Sequence, residues 1–236
     1  MKAVLIGYGE VGKGLHEVLA PYHKIDIQDP PAGYGVKGKY EIMLVAIPYS
    51  DQFVCQIKAY QLKYKPVCTI IFSTVPIGTS TVLGAVHSPI EGNHPDLANS
   101  IRAHTRWIGG RSSRATSFLL EAMLKLKVVN SPEFTEFMKL RSLALYAVNI
   151  EFSRYTKGIS DGMCLDYSNI HSYDRDYNDL NQTIKKPQFS RYILYPPKGR
   201  IGGHCVLPGV KMLQEQFPDI FLETVLEQNN KPEGVK

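Results

Sequence analysis

The stretch Ala3-Val4-Leu5-Ile6-Gly7-Tyr8-Gly9-Glu10-Val11-Gly12 decides how this chain reads. Four consecutive apolar residues suit a strand buried on both faces, as in a parallel sheet. The glycine fingerprint follows at once, and the amphipathic residues 11–20 open a helix. In such a unit the first glycine permits a tight turn, the second lets the backbone approach a pyrophosphate, and the third lets helix pack on strand. Those tasks fall to Gly7, Gly9 and Gly12, with Tyr8, Glu10 and Val11 completing the binding turn. The helix N-terminus adds unpaired N–H groups and a positive dipole end. A second apolar run, Lys24-Ile25-Asp26-Ile27-Gln28-Asp29, ends on an acid twenty-two positions beyond Gly7. A carboxylate there accepts hydrogen bonds from a ribose 2′-OH and repels a 2′-phosphate, so Asp29 favours NAD over NADP.

The alternation of strand and helix signals continues, as an α/β, Rossmann-type doubly wound sheet demands. Glu41-Ile42-Met43-Leu44-Val45-Ala46-Ile47 is a further buried strand stopped by Pro48, and residues 50–64 suit the following helix. Val67-Cys68-Thr69-Ile70-Ile71-Phe72 is the next strand, running into Ser73 and Thr74. Ile47, Pro48, Ser73 and Thr74 thus stand at the carboxyl ends of strands, where such sheets bind cofactors. Residues 82–86 and 105–108 read as shorter strands, 114–127 as a helix, and Val128-Val129 as a last edge strand. The interval between Asp29 and Glu41, with two prolines and three glycines, is too short for a normal helical crossover, so the domain is a trimmed version of the fold.

A change of texture near residue 130 divides the chain into a cofactor-binding domain, 1–129, and a second region, 130–236. Ser131 suits an N-cap, Pro132 the first helical position, and Phe134, Phe137, Met138 and Leu145 recur at helical spacing. A helix over 131–157 would span about 40 Å, which suits a domain connector and a homodimer contact. Beyond Ser160 come polar and aromatic residues; Tyr167, Tyr173 and Tyr177 could pack or could line a sugar or nucleotide. Residues 230–236 read as disordered.

The 236 residues are 44% hydrophobic with a net charge of +5, enough for a real core. The charge excess is modest and unclustered, so an anionic small molecule fits better than nucleic acid. The four cysteines, Cys55, Cys68, Cys164 and Cys205, show no C-x-x-C and no zinc-type pairing with histidines, so no metal site is expected and a reducing, cytoplasmic setting is. No stretch reaches bilayer-spanning length, and residues 1–6, already used as a strand, are too short for a signal peptide. Cys55 and Cys68 are expected in the core. His87, His94 and His104, in or near loops after late strands, are expected mainly as hydrogen-bonded or surface residues.

The second chemical signal is Lys198-Gly199-Arg200-Ile201-Gly202-Gly203-His204-Cys205, where three glycines leave one thiol accessible on a loop. With the dinucleotide fingerprint come Ser73-Thr74-Val75-Pro76-Ile77-Gly78-Thr79, then Ser88-Pro89 with Glu91 and Gly109-Gly110, then Glu136-Phe137-Met138-Lys139, then the cysteine loop. In this order the motifs resemble the UDP-glucose/GDP-mannose dehydrogenase family, over residues 4–213. The resemblance implies NAD-dependent oxidation of a nucleotide sugar's C6 alcohol to a carboxylate. Cys205 would be the nucleophile forming a thiohemiacetal and thioester, and Lys139 would stabilise the oxyanion or orient water. Gly202, Gly203 and His204 would lie against the substrate with Lys139, and Thr74 near the nicotinamide.

Three departures from the pattern matter. The family's asparagine four residues after the lysine is Leu143 here, its aspartate four residues after the cysteine is Gly209, and Glu91 comes one step late because Ile90 intervenes. Leucine and glycine move no protons, so the hydrolytic half of the mechanism lacks its usual partners. The chain also ends where the family would begin its third domain. Two alternatives stay open: a two-electron hydroxyacid or 6-phosphogluconate-type dehydrogenase using Lys139 without a covalent step, and a catalytically impaired NAD(H)-binding module.

Overall fold

A computed structural model describes residues 1–92, 95–201 and 205–230. The chain forms two compact units, Met1–Leu140 and Arg141–Lys236.

In the first unit seven strands form one sheet of order β2-β1-β3-β4-β5-β6-β7. They are β1 (Lys2–Ile6), β2 (Lys24–Gln28), β3 (Ile42–Val45), β4 (Cys68–Ile71), β5 (Val86–His87), β6 (Arg106–Gly109) and β7 (Leu126–Val129). The pairings are parallel except for β5 with β6. The continuous apolar runs have a simple cause, because both sheet faces are covered. On one face Ala3, Leu5, Ile42, Leu44 and Ile70 pack under α1 (Glu10–Leu19), α4 (Leu97–Ala103) and α5 (Ser113–Glu121). On the other, Val4, Ile6, Met43, Val45 and Ile71 pack under Phe53, Ile57 and Tyr64 of α2 (Phe53–Tyr64). The order reverses beside β1, and that is where such sheets open a ligand crevice.

The β2–β3 connection is a loop with a short 3-10 turn, Pro30–Ala32, as its length requires. Side chains hold it where a helix would have. Tyr64 and the Val36 N–H both donate to Gln28 Oε1, at 2.5 and 3.2 Å, and the Tyr40 hydroxyl donates to Asp26 Oδ2 at 2.9 Å.

Several expectations are corrected. Residues 82–86 are not a strand: Thr79–Val82 is a single helical turn, α3, and the strand is confined to Val86–His87. The Glu136 carboxylate fixes that turn by accepting the Gly78 and Ser80 N–H groups at 2.6 and 2.8 Å. The helix expected to reach residue 127 stops at Glu121, where Met123 turns the backbone to φ 60° and releases the chain into β7. Cys55 is exposed and Cys68 half-buried, because α2 turns Cys55 away from the sheet and Cys68 opens β4 at its edge. Helix α4, absent from the sequence-based expectation, is capped by Asp96, whose carboxylate accepts the Asn99 N–H. It packs on α1 at Gly14, where a Cβ would lie 3.2 Å from Leu97.

The long helix α6 (Pro132–Gly162) has 31 residues, and its first two turns belong to the first unit. In the second unit the polar and aromatic chain beyond Ser160 forms α7 (Tyr167–Thr183), α8 (Val206–Gln216) and α9 (Ile220–Asn230). Asn230 ends α9, and residues 231–236 lie outside the described residues. The core of this unit is Ala144, Ala147, Ile150, Ile201, Val210 and Val225. Among the described residues no helix is long and apolar enough to cross a membrane, and no cluster of side chains suits a metal ion.

Candidate cofactor and active site

The glycine turn is built as the fingerprint requires, with a different reason at each position. Gly7 has φ 95°, and a Cβ there would stand 2.6 Å from the Ala46 carbonyl oxygen and 2.7 Å from Ile47. A Cβ on Gly12 would collide with the Gly7 carbonyl. At Gly9 a Cβ would meet no protein atom within 4 Å, so packing does not demand glycine there. What it leaves is bare backbone at the N-terminus of α1, the requirement of an approaching phosphate.

Asp29 closes the site from β2. One carboxylate oxygen, Oδ2, accepts the Tyr8 N–H at 2.6 Å, which orients the group against the glycine turn and leaves Oδ1 for a ligand. Tyr8 is held in turn between the rings of His16 and Tyr34, at 5.6 and 5.3 Å. Beside this lies a cavity of about 220 Å³ lined by Ile6, Gly7, Gln28, Asp29, Pro30, Pro31, Ile47, Pro48, Gln56 and Tyr60. An apolar slot ending in a carboxylate, next to an open glycine turn, fits the adenosine half of a dinucleotide. Gly7, Asp29, Ile47 and Pro48 therefore come together around one cavity. Gln28, Gln56 and Tyr60 were missed. The four-residue spacing of Gln56 and Tyr60 on α2 is the signal that could have found the latter two. Glu10 and Val11 form the first turn of α1, Val11 packed against the core.

Ser73 and Thr74 follow β4 and are not part of that cavity. They lie where three residues of α6 clamp the far loops. His87 Nε2 donates to the Ser73 carbonyl at 3.2 Å while Nδ1 meets Thr135 Oγ1 at 2.9 Å. Burial, above all, lowers the His87 imidazole to about 4, so it is neutral at pH 7. Glu136 holds Gly78 and Ser80 as described; burial raises its carboxyl above the usual range against the pull of those donors. One turn on, Lys139 Nζ donates to the Ile90 carbonyl at 2.8 Å and to Glu91 Oε2 at 3.2 Å. Thr135, Glu136 and Lys139 thus tie α6 to the segments after β4 and β5.

In the second unit Cys205 is exposed at the start of α8. Gly202, Gly203 and His204 lie outside the described residues. The segment leading to them is anchored: Arg154, paired with Glu151, donates to the Gly199 carbonyl, and the Ile201 N–H donates to Asn229 Oδ1 at 2.5 Å. Burial raises the Glu151 carboxyl, with Arg154 opposing. Leu143 and Gly209, two of the three departures, touch: a Cβ on Gly209 would lie 2.5 Å from Leu143 Cδ1. On α7, Tyr173 and Tyr177 lie under the Arg191 guanidinium, and the Tyr167 hydroxyl donates to the Ser153 carbonyl at 3.0 Å.

No protein-family model and no curated protein matches the sequence. Solved structures match the fold. A UDP-D-ManNAc dehydrogenase from Pyrococcus horikoshii superimposes with TM-score 0.70 at 14% identity, over 97% of this chain and 68% of that one. A 3-hydroxyisobutyrate dehydrogenase from Mycobacterium tuberculosis, solved with L-serine, gives 0.68 at 12%, over 96% and 91%. The chain shares its fold with these two dehydrogenases. Psf3, solved with NADP+ and 2-OPP, gives 0.60 at 13%, over 97% and 93%.

Proposed function

We propose that this dehydrogenase-fold chain is an NAD-dependent oxidoreductase of the cytoplasm, acting on an alcohol of a sugar or nucleotide-sugar-like substrate. The observation that carries the reading is the cavity beside Asp29, with the carboxylate tied by one oxygen to Tyr8 and no basic side chain among its lining residues. The backbone of the turn from Gly7 to Gly12 would hold the pyrophosphate, Asp29 the ribose, and Ile47, Pro48, Gln56 and Tyr60 the adenosine end. When bound, the cofactor supplies a hydride acceptor. We assign Lys139 to the substrate oxygen, where its ammonium would stabilise negative charge as the hydroxyl proton leaves to solvent. The carbon loses a hydride, the oxygen a proton, and a carbonyl forms. Under the resemblance the Cys205 sulfur would then add to that carbonyl with its proton passing to the oxygen. A second hydride would go to a second oxidised cofactor as that proton leaves, and water would hydrolyse the thioester to release the acid and restore the thiol.

A second reading, one two-electron oxidation with no covalent step, is favoured by the packing of Leu143 on Gly209. That contact leaves neither a proton-transfer group nor room for one where the family carries two. Counting NADH formed per substrate, across nucleotide sugars and free sugar acids, decides between them. Two per substrate supports the Cys205 route, and one supports the second reading. Absence of reduction with every substrate, alongside tight NADH binding, overturns both in favour of a binding module.

A further inference from the structure

The Lys139 ammonium carries three N–H donors. One goes to the Ile90 carbonyl and one to Glu91 Oε2, leaving the third without a partner among the described residues. The Lys139 side chain is 12% exposed and that of Glu91 35%, so the pair sits at a surface a small molecule can reach. Beneath it Arg106 is buried, donating to the Pro89 carbonyl at 3.1 Å. Its Nη2 lies 3.0 Å from His104 Nδ1, and burial, above all, lowers its pKa while the Glu91 charge opposes that shift. Glu91 thus offsets the charge of Lys139, the cation that can meet a ligand.

We infer that Glu91 determines specificity at this site, making Lys139 accept a neutral hydroxyl and reject a carboxylate. The inference rests on the assignment of Lys139 to the substrate. An alcohol can accept from the spare Lys139 N–H and donate to the Glu91 carboxylate, using both groups. A carboxylate can accept but not donate, and it meets the Glu91 charge head-on, a repulsive element of the kind that specificity needs. The site thus takes the alcohol end of a substrate, and an oxidised acid is poorly held. Ile90, the residue that displaces the acid by one step from the family pattern, supplies the carbonyl that fixes Lys139 in this arrangement.

The test uses matched ligands that differ at one carbon, UDP-glucose with UDP-glucuronate and sorbitol with gluconate, titrated calorimetrically into NADH-saturated protein. Wild type should bind the alcohol of each pair more tightly. Glu91→Gln, with NADH affinity unchanged as the check on folding, should move the acid-to-alcohol preference toward the acid by about tenfold, and Glu91→Asp should keep the wild-type order. Lys139→Met should weaken the alcohols. Equal wild-type affinities within each pair overturn the inference. If Glu91→Gln shifts nothing while Lys139→Met weakens the ligands, the Lys139 assignment survives and the role of Glu91 does not. If Lys139→Met changes no affinity, or no ligand binds, the assignment fails and the inference with it.

Discussion

Leu143 fills the space that a side chain on Gly209 would need. A Cβ there would stand 2.5 Å from Leu143 Cδ1 and 3.3 Å from Leu143 Cβ, and both residues are buried. Two of the three departures from the nucleotide-sugar dehydrogenase pattern are thus one packed contact rather than independent losses.

Gly209→Asp alone should therefore be costly, since it overpacks the contact and buries an unpaired carboxylate. The loss should be about 3 kcal/mol. Leu143→Asn with Gly209→Asp should recover at least about 1 kcal/mol beyond additivity. Urea unfolding of the four proteins of the cycle measures it; additive effects would separate the two positions.

Asp29→Ala should narrow the preference for NADH over NADPH. The substitution removes both the ribose acceptor and the repulsion of a 2′-phosphate, and it frees the Tyr8 N–H that Asp29 now holds. NADH affinity should fall by about tenfold, the scale of a lost hydrogen bond to a charged group, while NADPH affinity holds or rises. Fluorescence titration of both cofactors reads this directly, and equal wild-type affinities would remove Asp29 from the role.

His87 should make the protein acid-sensitive in a defined window. Its imidazole titrates at about 4 in the folded chain against an ordinary 6.5, because burial disfavours the charged form. The unfolded chain takes up a proton below 6.5 that the folded chain refuses until about 4. Stability present above 6.5 is thus lost progressively as pH falls to 4, by about 3 kcal/mol. His87→Gln should be weaker at neutral pH but flatter across that range. Parallel slopes for the two proteins would contradict it.

What the sequence made legible follows from how local each cause is. Gly7, Gly9, Gly12 and Asp29 act through turn geometry and strand ends, so a linear pattern finds them. Glu136 and Thr135 act on partners 58 and 48 residues away, at Gly78 and His87, and no local pattern marks that clamp. Residues 82–86 look like a strand because they are apolar; Glu136 on the Gly78 and Ser80 N–H groups is what turns their start into helix. The helices after residue 162 carry aromatics on their outer faces, Tyr173 and Phe221 among them, so apolar periodicity does not outline a buried side.

The exposed side of α6 should pair with a second copy of the chain. Leu145, Phe152 and Ile159 lie seven residues apart and are 47%, 63% and 46% exposed, with Tyr155 between the last two at 67%. A seven-residue apolar repeat is the spacing at which helices pack along a seam. Phe152→Glu should yield a monomer by sedimentation at micromolar concentration, and a monomeric wild type would dispose of the idea.

Cys205→Ser separates the two chemical readings. Cys205 is exposed at the head of α8 and is therefore accessible to a carbonyl. If oxidation runs through a thioester, the serine variant should stop at the aldehyde, release one NADH per substrate instead of two, and yield its product to a carbonyl trap. If oxidation ends at two electrons, as the Leu143–Gly209 contact favours, Cys205→Ser should keep most of the wild-type rate while Lys139→Met loses about a hundredfold or more, the scale of removing one oxyanion donor. Because Leu143 and Gly209 leave hydrolysis without its usual partners, the expected wild-type stoichiometry is one NADH per substrate. A wild type that releases two, at an ordinary rate of about 1–10³ s⁻¹, would mean that water reaches the thioester by a route that needs neither position.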